Sequence, residues 1–475
     1  MRVLFLSSEV APYSKTGGLG DVAKALPAAL AQAGHQVLVV TPRYASIESQ
    51  ELNRLGESIH LRFPFGEERA ELLAHMPAAG HAVVFLDHPG FYGRPGLYGD
   101  TRGDYPDNHR RFGFFAIGAL AAAEVLGFIP DVVHLNDWQT GLAALALKNV
   151  TRDSVLGKAK CVFTIHNLAF QGVFPKSVIE DLALPWSAFH PEGYEFHGGV
   201  SFLKAGLAFS DGWTTVSETY AREIQTPEHG HALDGFLRAG AGKLEGILNG
   251  VDYAEWDPSQ DPNLPAPYSS TDFSGKDRCK RVLKERFGLG GSDDSRPLFG
   301  MVSRLSDQKG LDLLFQVLPQ FLERKADLVL LGSGDPAYES ALRALPAQYP
   351  GQVGTFVGFD SALSHLVEGG SDFFLMPSRY EPCGLNQMFS LRYGTPPIVR
   401  ATGGLADTVI DADLEGGNGF RFERYDARAL YWAMDRALER YQDPQALNAL
   451  RRCGMKADFS WDVAAQKYTR LYGRL

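Results

Sequence analysis

Short, wholly apolar runs alternate with longer segments of helical spacing along most of the chain. Residues 3–6 are apolar throughout and predict a buried strand. Residues 20–33, rich in Ala and Leu, predict a helix, and 36–40 predict the next strand. Further strands are expected over 82–86, 132–135, 161–164 and 212–216, bounded by Pro, Gly, Asn or Asp. This is the rhythm of parallel β/α units in a sheet covered on both faces. It breaks after Asn249-Gly250-Val251-Asp252. Residues 256–274 are rich in Pro, Asp and Ser and read as the connection between two lobes. A second series of strands is expected at 298–302, 328–331, 353–357, 373–376 and 397–399. The final segment, 461–475, places Val463, Ala464, Tyr468 and Leu471 at helical spacing and fits against either lobe. The expected fold class is α/β, with two Rossmann-like doubly wound lobes.

In open α/β sheets the ligand sits outside the carboxyl ends of the strands. Asp137-Trp138, His166-Asn167, Arg304, Gly332-Ser333-Gly334 and Glu381 all follow predicted strands. They are expected to face one another across a cleft between the lobes. One turn occurs twice. Thr16-Gly17-Gly18-Leu19-Gly20-Asp21 returns near the other end as Thr402-Gly403-Gly404-Leu405-Ala406-Asp407, with one residue changed. A Gly pair before a helix start turns tightly and points free N–H groups outward, which suits anions or hydroxylated ligands.

Lys15 precedes the first of these turns and offers a point charge for a diphosphate. The turn is neither a GxxxxGK[ST] loop nor a GxGxxG fingerprint. Arg304 and Lys309, five residues apart at a strand end, can converge on one phosphate group. Read alone they equally suit a surface loop with ordinary ion pairs. Glu381, followed by Pro382, Cys383 and Gly384, can accept hydrogen bonds from sugar hydroxyls. Cys383 has no local His and reads as a small apolar residue rather than a nucleophile. Tyr92, Tyr98 and Tyr105 either stack on sugar rings or staple a long loop.

At 475 residues the chain exceeds one ordinary core, so two domains are expected. A net charge of −10 argues against nucleic acid and anionic membrane as partners. Cys161, Cys279, Cys383 and Cys453 lie far apart in sequence and form no CxxC pair, so neither a disulfide framework nor a zinc site is suggested, and a reducing cytoplasm fits. The apolar start is too brief for a signal peptide, and no stretch approaches the roughly 18 apolar residues of a membrane span.

Taken together, these motifs resemble the bacterial and plastidial glycogen and starch synthases. The resemblance rests on Lys15 through Asp21, Asp137-Trp138, Thr164-Ile165-His166-Asn167, Leu248 through Asp252, Ser303-Arg304-Leu305 through Lys309-Gly310, Glu381 through Leu385, and Thr402 through Asp407. It spans almost the whole chain. It implies a glycosyltransferase-B architecture, with lobes over 1–248 and 249–458 and a helix over 459–475 that returns to the first lobe. The activity implied is transfer of glucose from ADP-glucose to the non-reducing end of an α-1,4-glucan, with retention at the anomeric carbon. Glycogen or a malto-oligosaccharide is the acceptor, and no metal or other cofactor is expected.

By the same resemblance His166, Arg304, Lys309 and Glu381 are the catalytic set. Arg304 and Lys309 hold the diphosphate, Glu381 bonds the glucose hydroxyls, and His166 helps place the sugar. Lys15 with the Gly17-Gly18 turn meets the donor, Asp137 and Asn249 line the donor and acceptor side, and Phe359 lies against the base. Asp21, Asn167, Cys383, Gly384, Leu385 and Thr402 complete the substrate-contacting motifs. Gln139 stands where relatives commonly carry His. A related transferase using UDP-glucose or a small acceptor and a non-catalytic glucan-binding protein are the competing readings. The absence of GxGxxG weighs against a dinucleotide oxidoreductase.

Overall fold

Apolar runs that lack a polar face must be covered on both sides, and both halves of the chain solve this in the same way. The structure, a computed structural model, describes residues 1–48, 52–149, 154–290 and 295–475. It divides into two compact units. One comprises Met1–Val216, Ala221–Gly250 and Trp461–Leu475, and the other Val251–Ser460 with Ser217–Tyr220.

In the first unit the strand Arg2–Leu6 runs parallel to Gln36–Pro42 on one side and Val132–Asn136 on the other, with Leu4 opposite Leu38 and Val133. Among the described residues the sheet continues outward from Val132–Asn136 through Lys160–Ile165, Gly212–Thr215 and Leu244–Gly246. On the other side it continues from Gln36–Pro42 to His81–Asp87, still parallel. It then ends in an antiparallel hairpin, Gly66–Ala78 with Asn53–Phe63. The helix Gly18–Gln32 buries Leu19, Val22, Ala23, Leu26, Ala29 and Leu30, one stripe at helical spacing. It stops before Gly34, whose φ of +90° only glycine takes freely.

The last helix, Trp461–Arg474, packs on Gly18–Gln32 within this unit. Its Tyr472 hydroxyl lies 2.6 Å from His134 Nδ1, and Thr469 meets His35 at 3.0 Å.

The second unit holds a parallel sheet in the order Val353–Val357, Asp327–Gly334, Leu298–Leu305, Phe373–Met376, Pro397–Arg400, Phe420–Phe422. Separate apolar clusters cover its two faces. One gathers around Leu314, Phe321, Leu430 and Met434, the other around Leu283, Leu363, Val367 and Leu405. That is the arrangement a doubly wound sheet requires.

The stretch 256–274 is not a free connection. The long segment of the second unit begins at Val251, ahead of this stretch. Trp256 then stacks on both His365 and Phe389, with ring centroids 3.8 Å apart in each case. Asp261 accepts from Tyr393 and faces His365 Nδ1 at 2.7 Å. Pro and Asp here shape a strap held to the rest of the second unit by this aromatic sandwich, by Asp261 and by the Arg392–Asp257 ion pair. Among the described residues no helix is long and apolar enough to cross a membrane.

Candidate active site

Each sheet has one place where neighbouring strands lead their connections away in opposite directions. Loops part there and leave a crevice at the carboxyl ends. In the first unit it falls between Arg2–Leu6 and Val132–Asn136, and in the second between Leu298–Leu305 and Phe373–Met376. Both hold sequence-predicted residues.

In the first unit Asn136 ties the two strands by donating from Nδ2 to the Leu6 carbonyl at 2.8 Å. Asp137 follows with φ of +55°, an uncommon backbone for a residue with a Cβ. Its carboxylate accepts the His166 backbone N–H at 2.7 Å. Loss of water around this carboxyl pushes its pKa up to about 7, against the lowering effect of the His166 and Asn167 backbone N–H groups. The His166 ring sits 2.9 Å from Asn136 Oδ1. Burial lowers its pKa to about 3, so the ring is neutral at physiological pH. Asn167 Oδ1 caps the loop by accepting from Ala169 N–H. Asn249 is buried, and its Oδ1 has no hydrogen-bond partner. Gln139, beside Trp138, likewise buries an unpartnered Oε1. Among the described residues each is a buried acceptor without a partner.

The first glycine turn differs from its expectation. Its N–H groups do not all await a ligand. The buried Glu9 carboxylate accepts from Thr16 N–H at 2.6 Å, Gly17 N–H at 3.3 Å and the Thr16 hydroxyl at 2.6 Å. The Tyr98 hydroxyl donates to the same carboxylate at 2.6 Å, so this tyrosine staples the loop rather than offering an open face. Glu9 is a residue that sequence reasoning missed; a lone carboxylate just past the first strand was its one visible sign. Lys15 is half exposed and pairs with Asp21 at 2.8 Å. A Cβ on Gly17 would meet nothing within 4 Å, which leaves open space over the turn.

In the second unit the loop after Leu298–Leu305 is stitched to the loop after Phe373–Met376. Arg379 N–H donates to the Gln308 carbonyl at 2.8 Å, and Gln308 Nε2 donates to the Tyr380 carbonyl at 3.1 Å. Lys309 Nζ thereby reaches Glu381 Oε2 at 2.6 Å, and the Ser378 hydroxyl donates to the same oxygen at 3.0 Å. Gly310 makes this approach feasible. Its φ is +73°, and a Cβ there would lie 2.0 Å from the Pro377 carbonyl oxygen. Arg304, at the end of its strand, is exposed and forms no ion pair among the described residues.

The second glycine turn closes over the same loop. Gly404 N–H donates to the carbonyls of Glu381 and Pro382, each at 3.1 Å. Added Cβ atoms on Gly403 and Gly404 would lie 2.0 Å from the Glu381 and Cys383 carbonyl oxygens. Thr402 and Cys383 are buried beneath it. Gln387 Nε2 holds the Cys383 and Gly384 carbonyls at 3.0 and 3.2 Å, just beyond the Leu385 helix start. Asp407 accepts from Thr219 N–H at 2.8 Å. Phe359 follows Val353–Val357 and is 78% exposed, a large apolar ring left in water. The structure thus clusters Arg304, Lys309, Glu381, Cys383, Gly384, Leu385 and Thr402 on adjoining loops, while Phe359 stands just after the strand two places away.

Two doubly wound α/β units, each with polar loops at its switch point, define the glycosyltransferase-B class of folds. Residues 2–239 match the family described as starch synthase catalytic domain, and residues 285–452 match glycosyl transferases group 1. The chain is 57% identical to a glycogen synthase of Myxococcus xanthus, over 99% of each chain. It is 51% identical to one of Anaeromyxobacter dehalogenans, over 100% of each. The catalytic domain of starch synthase IV from Arabidopsis thaliana, solved with ADP and acarbose, superposes with a TM-score of 0.92 at 34% identity, covering 99% of this chain and 98% of that one. The chain belongs to the glycogen and starch synthase family of retaining glycosyltransferases.

Proposed function

We propose that the donor is ADP-glucose and the acceptor the non-reducing end of an α-1,4-glucan. The observation that carries this reading is the Lys309–Glu381 pair at 2.6 Å, set beside an exposed Arg304 that forms no ion pair among the described residues. A diphosphate leaving group gathers negative charge as the glycosidic bond to it breaks, and the sugar ring gathers positive charge. Preorganised cations stabilise the first. Arg304 grips the diphosphate through its fork, and Lys309 supplies a point charge. Glu381 accepts from the glucose hydroxyls and holds Lys309 in place before the donor arrives. The exposed ring of Phe359 takes the base by stacking.

From the first unit, His166 and Asn167 place the glucose, with His166 neutral as a hydrogen-bonding group. Asp137 and Asn249 line the donor and acceptor side. The Gly17-Gly18 turn lets the donor approach the backbone closely, while Lys15, with Asp21 as its resting partner, adds a further cation. Cys383, Gly384, Leu385 and Thr402 form the floor under the diphosphate. Lys and Arg supply the positive charge, so the step proceeds without a divalent metal. Retention follows from attack on the face the leaving group vacates, with the departing phosphate taking the acceptor proton. The ADP and acarbose bound to the Arabidopsis relative support both substrate classes.

UDP-glucose is the competing donor. Incubation with each nucleotide sugar separately, with glycogen present, tests the reading. Release of ADP much faster than UDP is expected; equal or faster UDP release rejects the donor assignment.

A further inference from the structure

The second unit has a cavity of about 1030 Å³ at the end of its sheet opposite Arg304 and Lys309. Its walls include Arg296 and Pro297, just before strand Leu298–Leu305, Lys325, just before strand Asp327–Gly334, and Asp372, just before Phe373–Met376. Those are the amino ends of parallel strands. At about 3.3 Å per residue, Leu298–Leu305 separates the two ends by roughly 25 Å. This cavity is therefore distinct from the donor loops.

Six cations line it, Lys280, Arg281, Arg296, Arg324, Lys325 and Arg451, against the carboxylates of Asp277, Asp372 and Glu439. The excess is positive, although the whole chain carries a charge of −10. Internal pairing accounts for only part of it. Arg296 meets Asp327, Arg324 meets Asp435, and Lys280 and Arg451 share Asp372. Among the described residues Arg281 and Lys325 are exposed and have no carboxylate partner. Arg451 is 7% exposed, and its buried Nε has no hydrogen-bond partner. A guanidinium N–H this well buried is normally satisfied. Lys325 takes a φ of +58°, a backbone region that lysine rarely adopts. Phe273, Leu438 and Leu447 supply an apolar wall beside the charges.

We infer that this cavity is a second ligand site, for a compact phosphoryl anion such as an inorganic polyphosphate or a small phosphate ester. Arg281 and Lys325 supply charge at the mouth, beside the wall formed by Arg296 and Arg451. Several cations around one partly enclosed anion attract it more strongly than a single pair in open water would. Inorganic phosphate and sulfate share the chemistry; a single phosphate fills less of the cavity than a diphosphate does, so pyrophosphate is the better probe.

The test is calorimetric titration of the full chain with pyrophosphate in saturating ADP, which occupies the donor loops. One equivalent is expected to bind, and Arg281→Ala/Lys325→Ala is expected to weaken it at least tenfold. The same double variant should keep its ordinary transferase rate without pyrophosphate, which shows that it is folded. Titration of ADP alone reports the donor reading separately, so failure of one is not failure of the other. The inference is overturned by no pyrophosphate binding at millimolar concentration. It is equally overturned by unchanged affinity in the double variant, or by ADP abolishing the pyrophosphate signal.

Discussion

Replacing Lys309 with Ala removes the cation whose Nζ donates to Glu381 Oε2 at 2.6 Å; the two side chains are 16% and 8% exposed. At an effective dielectric of about 20, unit charges this close attract by about 6 kcal/mol. Desolvation of both groups offsets most of that attraction. What the substitution exposes is the cost of a buried carboxylate left unpaired, about 3–5 kcal/mol. The Ser378 hydroxyl stays on the same oxygen, so the lower end, about 3 kcal/mol, is expected. For the reaction, removing one preorganised group from a developing charge lowers kcat by about 10²–10³, or about 3–4 kcal/mol. The two effects are separable. Transfer is measured as labelled glucose incorporated into glycogen, well below the melting transition, and stability is measured by urea unfolding. Lys309→Ala should lose transfer at least a hundredfold while still folded. Adding Glu381→Gln removes the stranded charge and should recover at least about 1 kcal/mol of stability, with transfer still lost. Near-normal transfer in folded Lys309→Ala would refute the catalytic half of this reasoning. No recovery of stability in the double variant would refute the electrostatic half.

The Asp137 carboxyl, raised to about 7, gives a bend in the pH dependence of kcat/KM near neutrality that Asp137→Asn should abolish. Because the folded pKa lies above the unfolded one, this group stabilises the fold below about pH 4 and that contribution is lost as pH rises through 7. Asp137→Asn should therefore gain stability over the parent at pH 8 and not at pH 4, as urea titrations at the two pH values will show. Phe359→Ala should raise KM for the donor at least fivefold with little change in melting temperature, since stacking on a base contributes about 1–3 kcal/mol and the ring is 78% exposed. Gly310→Ala should lower both stability and transfer, because its Cβ would lie 2.0 Å from the Pro377 carbonyl oxygen and push Lys309 from Glu381. Normal melting and activity in that variant would show that the loop relaxes freely.

How far the sequence spoke depended on how much each element is buried. Residues 3–6 and 373–376 are apolar, and 132–135 are apolar but for the buried His134, because sheet neighbours and helices cover them, and their strands lie where these runs put them. The hairpin Asn53–Phe63 with Gly66–Ala78 escaped because it is an edge with one face in water. Arg54, Glu57, His60, Glu67 and Arg69 break up its apolar positions and leave only Leu72-Leu73-Ala74 as a run. Leu244–Gly246 and Phe420–Phe422 are three residues each, too short for any period to show. The linker-like composition of 256–274 concealed the Trp256 sandwich, since a single aromatic leaves no pattern.

At the site, Arg304, Lys309 and Glu381 were legible because a strand end followed by charge is a local signal. Glu9 was not. Its role comes from meeting Thr16, Gly17 and Tyr98 in space, and nothing in the spacing of residues 9, 16 and 98 announces it. The unpaired Oδ1 of Asn249 and Nε of Arg451 are likewise facts of packing alone.

The most direct measurement compares ADP and AMP binding to the parent chain, Arg304→Ala and Lys309→Ala by calorimetry. The two nucleotides differ by one phosphoryl group, so the difference in their affinities reports what the cations contribute. The parent should bind ADP far more tightly than AMP, and each substitution should shrink that gap while leaving AMP affinity nearly unchanged. An ADP preference that survives in both variants would contradict the assignment of Arg304 and Lys309 to the diphosphate.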